Sequence, residues 1–180
     1  MHKQALILAL ALAPFSTALA ISQGGKVDQS SQPPEERQAQ NSLPMSHDSF
    51  WNTLLKTKIQ YSAKEPHITA KIPPEVKALE GQNVTLSGFV LPMDSQEKTN
   101  HFLLSKRTPT CPFCPPGEPN EVVEVYTKQA LPWDDNLLTV HGTFHLINNT
   151  DNGIFFVMKD AEKIKPAPSH AGPTGKEALW

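Results

Sequence analysis

Five short stretches between residues 81 and 160 alternate apolar with polar side chains or are rich in β-branched and aromatic residues. Gly88 interrupts the first of them, where a strand bends or bulges, and no interval between them has room for a crossover helix. These observations predict a mainly β fold: a small five-stranded antiparallel OB-like Greek-key barrel with a short N-terminal helix. A half-open β-sandwich is the competing architecture.

The elements follow in order. Ser46 or Asp48 is placed to cap a helix in which Phe50, Trp51, Leu54 and Leu55 share one face. Pro66, Pro73 and Pro74 exclude a long helix before Gly81, although PPEVKAL supports a single turn with proline at its start. The first strand is GQNVTLSGFVLPM, with Val84, Leu86 and Val90 on one face. Asn100–Ser105, Glu121–Thr127, Leu137–Leu146 and Gly153–Asp160 supply the other four, and NNTDNG turns the last hairpin. The connection KQALPWDDN offers no helix between the third and fourth strands.

At the N-terminus, MHKQALILALALAPFSTALA combines Lys3, a nine-residue apolar run Ala5–Ala13, Pro14 and small residues at Ala18 and Ala20. It reads as a secretory signal peptide over 1–20, the run being about half of the ~20 residues that span a bilayer. The expected mature chain is exported to the periplasm without stable membrane insertion. Residues 21–45, dominated by Gln, Ser, Pro and Glu, read as a disordered linker, and 165–180 as a flexible tail. That leaves 46–164 as the folded domain. A formal charge of −2 from 16 basic and 18 acidic residues gives no positive field for nucleic acid. With no G-x-S-x-G, no phosphate loop and no evident acid–base pair, the chain does not read as an enzyme. Glu118, Glu121 and Glu124 read as solvated loop charges.

The most specific stretch is TPTCPFCPPGEPNEVVEV, which holds both cysteines, Cys111 and Cys114. The C-x-x-C spacing suggests thiol–disulfide exchange, but Pro115, Pro116 and Pro119 forbid the helix whose N-terminus would lower a thiol pKa. Two readings stay open. One is a Cys111–Cys114 disulfide that stiffens the loop; the other is half of a site for a soft or borderline metal ion, zinc or copper(I). His141 and His145 are the nearest candidates to complete it. On a strand they stand about 13 Å apart at ~3.3 Å per residue, so at most one joins the cysteines. His145, toward the end of the fourth strand, shares a rim with the cysteine loop and is favoured over His141.

IPPEVKALEGQNVTLSGFVLPM, the FLLS strand, CPFCPPGEPNEVVEV and LTVHGTFHL together resemble a family of small bacterial periplasmic proteins of unknown function. Gly81, Val84, Leu86, Gly88, Phe89, Pro92, Phe102, Leu103, Leu104, Cys111, Pro115, Pro116, Pro119, Asn120 and Val125 match its pattern over about 46–164. Many relatives carry a histidine two residues after the first cysteine, where this chain has Phe113 and then Cys114. Some relatives sit beside ABC-type permeases and periplasmic zinc-binding proteins in zinc-responsive gene clusters. The resemblance therefore implies metal handling: a zinc-binding accessory protein or metallochaperone that works with an envelope transporter, its partner an ABC-transporter component or a periplasmic metal-binding protein. Cys111, Cys114 and His145, with His141 as substitute, are the candidate ligands that the loop and strand positions supply. A non-metal envelope interaction module with a structural disulfide is the alternative.

Overall fold

The computed structural model describes residues 34–61, 67–94, 96–110, 117–149 and 151–165. Cys111 and Cys114, the expected signal peptide and the tail beyond residue 165 lie outside the described residues. In chain order the elements are α1 Pro34–Asn41, α2 Phe50–Leu54, β1 Lys58–Tyr61, β2 Ile68–Lys71, α3 Pro74–Lys77, β3 Asn83–Pro92 and β4 Lys98–Ser105. A 3-10 turn Pro119–Glu121 then leads into β5 Val122–Pro132, β6 Leu138–Asn149 and β7 Ile154–Lys163. β1 and β2 form a separate hairpin, and the remaining five strands close a barrel in the order β3-β4-β5-β7-β6.

The sequence predicts an antiparallel sheet, and the barrel corrects this: it is mixed, with β5 and β7 parallel and every other neighbouring pair antiparallel. The reason is parity. Strand directions cannot alternate around a closed ring with an odd number of members, so a five-stranded barrel must contain a parallel pair. Alternation along the strands fills the interior. Leu86, Phe102, Leu104, Val123, Val125, Val140, Phe144, Phe156 and Met158 are all buried, each contributing roughly 1.5–3 kcal/mol where it is an aliphatic or aromatic side chain of that size.

β3 turns a corner at Gly88. Asn83–Gly88 pairs with β6, whereas Phe89–Pro92 pairs with β4. A Cβ on Gly88 would stand 2.7 Å from the Ser105 carbonyl oxygen, so only glycine lets the two strands approach this closely. On the side facing β4, Ser87 has backbone groups that no strand reaches, and the segment before and within α2 supplies their partners. The Ser87 N–H donates to Asp48 Oδ2 at 2.9 Å, and its carbonyl accepts from Ser46 Oγ at 2.6 Å and Trp51 Nε1 at 2.8 Å. Buried backbone groups need such partners. The expected helix of Phe50, Trp51 and Leu54 is therefore present, with Trp51 and Leu54 fully buried and Phe50 edge-on to Phe144 at 5.8 Å. Leu55 is half-exposed and lies just past the helix.

A second bend lies where β6 crosses β7. Pairing shifts between His141–Glu162 and Thr143–Lys159, so β7 carries an extra residue there. Asp160 adopts φ 52°, and a Cβ on Gly142 would lie 2.8 Å from the Lys159 carbonyl oxygen and 2.9 Å from the Ala161 Cα.

Two further differences concern the stretches outside the barrel. Part of the expected linker 21–45 is ordered: Pro34–Asn41 is a helix that touches the barrel through Gln40, buried with its Nε2 donating to the Thr108 carbonyl at 3.0 Å. The β1–β2 hairpin also differs from the sequence reading, which placed nothing regular between α2 and α3.

Candidate functional site

The cysteine loop leaves the barrel after β4 and returns through the 3-10 turn. Antiparallel pairing of β3 with both β4 and β6 makes β4 and β6 run the same way, so this loop and the β6–β7 turn share a rim. The β1–β2 hairpin joins them there, with His67 Nδ1 3.0 Å from Asp151 Oδ1.

Both ends of the loop are clamped by charge. Glu121, its side chain 6% exposed, accepts from Arg37 on α1 at 2.8 Å and from Arg107 at 2.9 Å. Arg37 also reaches Glu118 at 3.2 Å, and Arg107 donates to Asn41 Oδ1 at 2.7 Å. Tyr61 of β1 donates its hydroxyl proton to Glu118, and Asn120 donates to the Thr57 carbonyl at 2.9 Å. Thr110, the last described residue before the cysteines, donates to Glu36 at 2.9 Å. Burial opposes ionisation of Glu121, but the Arg37 hydrogen bond, the Glu118 backbone N–H and Arg107 outweigh it and hold the carboxyl below its ordinary range. Burial likewise disfavours the Arg37 cation, yet Glu121 and Glu118 raise its pKa. Glu118 and Glu121 are thus not the solvated loop charges that the sequence suggests. Their partner Arg37 lies 84 positions from Glu121, in the stretch read as linker.

The two candidate histidines sit on the outer face of β6. His141 Nδ1 is 3.0 Å from Thr85 Oγ1, its register partner on β3. His145 Nδ1 is 2.8 Å from Glu80 Oε1. The Leu146 N–H donates to Glu80 at 2.6 Å, and this bond, followed by His145, holds the Glu80 carboxyl below its ordinary range. An ionised carboxylate only accepts, so in the neutral imidazole Nδ1 carries the proton and the lone pair rests on Nε2. A metal-ligating histidine is commonly oriented in this way. β6 runs toward the loop-bearing rim, which places His145 four residues nearer to it than His141. Among the described residues, no group of three or more His, Cys, Asp or Glu side chains converges to hold a metal ion.

On β4 and β5, three residues outside the sequence prediction form a unit. His101 stacks on Tyr126 with ring centroids 4.3 Å apart and planes at 10°. Glu124 accepts from the Tyr126 hydroxyl at 3.0 Å and lies 2.7 Å from His101 Nε2. Burial and the Glu124 carboxylate raise the Tyr126 pKa. The i, i+2 spacing of Glu124 and Tyr126 on a strand is the one sequence signal for it, since it puts both on one face.

Known proteins supply the last observation. The model of a protein family of unknown function, DUF3299, matches residues 24–157. The chain belongs to the DUF3299 family. A crystal structure of a DUF3299 family protein from Pseudomonas aeruginosa PAO1 is similar at 26% identity, with 70% of this chain and 85% of that chain covered and a TM-score of 0.45. No functionally curated protein matches. The DUF3299 match contains the barrel up to Val157, the clamp and both cysteines. Among the described residues, no helix of this DUF3299 chain is long and apolar enough to cross a membrane.

Proposed function

We propose that this DUF3299 protein is an exported, OB-like metal-binding accessory protein that holds zinc through Cys111, Cys114 and His145 and works with an envelope transporter. Closure of the barrel in the order first, second, third, fifth, fourth strand supports the OB-like reading. The observation that carries the metal reading is the Glu80–His145 pair at 2.8 Å, which presents Nε2 as a ligand on the strand that runs to the cysteine-loop rim. Two thiolates and one imidazole suit zinc and leave a fourth position for a donor from a partner or for water. The signal peptide and periplasmic address rest on residues 1–20. His141, bound to Thr85 on the same face but farther from the rim, is the substitute ligand.

The test is zinc affinity of the reduced protein, measured by competition with a chromophoric chelator. Cys111→Ser and Cys114→Ser should each weaken binding by at least about tenfold. Glu80→Ala should weaken it by about 10–100-fold through loss of histidine orientation. Unchanged affinity in both cysteine variants overturns the site.

The clamp favours a second reading: a non-metal docking loop closed by a Cys111–Cys114 disulfide. Two part-buried arginine–glutamate contacts fix the chain on either side of residues 111–116, the rigidity a docking loop needs. Intact mass after alkylation, on protein taken without reductant from the compartment where it resides, separates the two. Two alkylated thiols exclude the disulfide.

A further inference from the structure

On the outer wall of the barrel, bordering His145 through its register partner Val157, the β7 bulge opens a depression of about 550 Å³. This lies within the range of roughly 300–1,000 Å³ typical of small-molecule sites. Val157, almost fully buried, forms its floor and Ile147 its apolar side, while Tyr126, Glu124, Lys159 and Asp160 provide the polar edge. The pairing of Glu124 with Val157, and of Val157 with His145, places these strands side by side across it.

Three features mark the depression as a binding site. The first is a prepared aromatic platform: Tyr126 is 40% exposed, yet its ring is held by the His101 stack on the β4 side and by its hydroxyl bond to Glu124. The ring face turned away from His101 fronts β7 and the depression. A ring already fixed loses little freedom when it is covered. The second is Asp160, a non-glycine residue in the left-handed region at φ 52°. Aspartate tolerates this conformation better than most residues, but glycine would adopt it at less cost. Aspartate at this position supplies a carboxylate to the edge, and backbone outliers of this kind concentrate at ligand sites. The third is charge of both signs, with Glu124 and Asp160 beside Lys159, and Lys128 paired to Glu162 at 2.8 Å, so that no cationic field dominates.

These features select the chemistry of the ligand. Balanced charges do not favour a phosphate, a nucleic acid or an anionic lipid surface. Apolar surface and an aromatic face, edged by both acceptors and donors, match a molecule with one C–H face and a rim of hydroxyl groups. We propose that this depression binds a neutral pyranose oligosaccharide, with Tyr126 stacking on a sugar ring and with Glu124, Asp160 and Lys159 hydrogen-bonding its hydroxyls. The site shares no residue with the proposed metal ligands, and either can fail alone.

The test is a titration of the isotopically labelled full chain with maltotriose, cellotriose and triacetylchitotriose to ~10 mM each, followed by amide chemical shifts, with triglycine as a charged comparator. Expected are saturable shifts from at least one saccharide, confined to residues 124–128, 147 and 157–161. Tyr126→Ala should weaken that binding at least about tenfold. Asp160→Gly keeps the backbone conformation available and removes the carboxylate, so it should weaken binding severalfold without lowering the melting temperature. No saturable shift from any saccharide overturns the proposal, as do shifts confined elsewhere, tighter binding of triglycine, or unchanged affinity in both variants.

Discussion

The barrel bends at two places, and they are finished differently. At Gly88 the corner is sealed: Ser46, Asp48 and Trp51 fill the hydrogen-bonding positions of the missing strand, and Trp51 is buried against it. At the β6–β7 bend the corner is open, with Gly142 passing under the bulge and Asp160 left at the surface in an uncommon backbone conformation. Both need a glycine where one backbone crosses another. Among the described residues, only the first is covered by chain from elsewhere. The contrast shows how one sheet can use one bend to hold the fold together and leave the other available for contact.

Substitutions can break this contrast. The largest effect is expected from Trp51→Ala, which empties a fully buried site and strips a donor from the Ser87 carbonyl; about 3–5 kcal/mol of stability should be lost, read by denaturant unfolding. Next is Glu121→Ala. The sealed corner continues into the clamp, since the Ser46 N–H donates to Lys106 O and the Lys106 N–H to Glu121 O. Removing the carboxylate takes the shared acceptor from both arginines and leaves Arg37 with Glu118 and Arg107 with Asn41; the cost should be about 3 kcal/mol, with Glu121→Gln intermediate.

Acid should sharpen the same contrast by a smaller amount. Glu121 has a folded pKa below its ordinary value of 4.5. Its contribution is complete above that value and disappears as pH falls through the lower, folded pKa. As pH falls below 4.5, amide protection, corrected for the slower intrinsic exchange in acid, should therefore drop first around residues 34–41 and 117–121, while the β6–β7 bend keeps its protection. Asp160→Gly is the smallest change and has the opposite sign, a gain of up to about 1 kcal/mol from relief of the left-handed conformation, visible as a raised Tm. Loss of stability in that variant would mean that the Asp160 side chain supports the bend after all.

The five barrel strands were legible because each either alternates apolar with polar residues or, as in IFFVM of β7, is a short run of β-branched and aromatic residues bounded by turn residues. Two parts were hidden for different reasons. α1, PEERQAQN, contains one alanine and no larger apolar residue; Gln40 and Arg37 dock it by polar contacts that hydrophobic periodicity does not register. β1 and β2, KIQY and ITAK, are only four residues each, with lysine at an end, too short for alternation to declare itself. Of the candidate site, His145 and its place on a strand near the cysteine rim could be read. Its partner Glu80 could not, because a contact across 65 positions leaves no local pattern. Asp160 gave no signal either: aspartate is ordinary in a turn, and only the register shift reveals it inside a strand.

The single parallel pair has a consequence for how the molecule is assembled. β7 is the last of the described strands, yet it sits between β5 and β6. Until Ile154–Lys163 arrives, both of those strands present bare edges, and such edges recruit strands from other chains. Closing the ring is a late, long-range event, the slow kind of step for a β protein. A chain cut before Ile154 should aggregate rather than merely lose a strand, and the fate of each newly made molecule, lone barrel or clump, is decided by its last ten barrel residues.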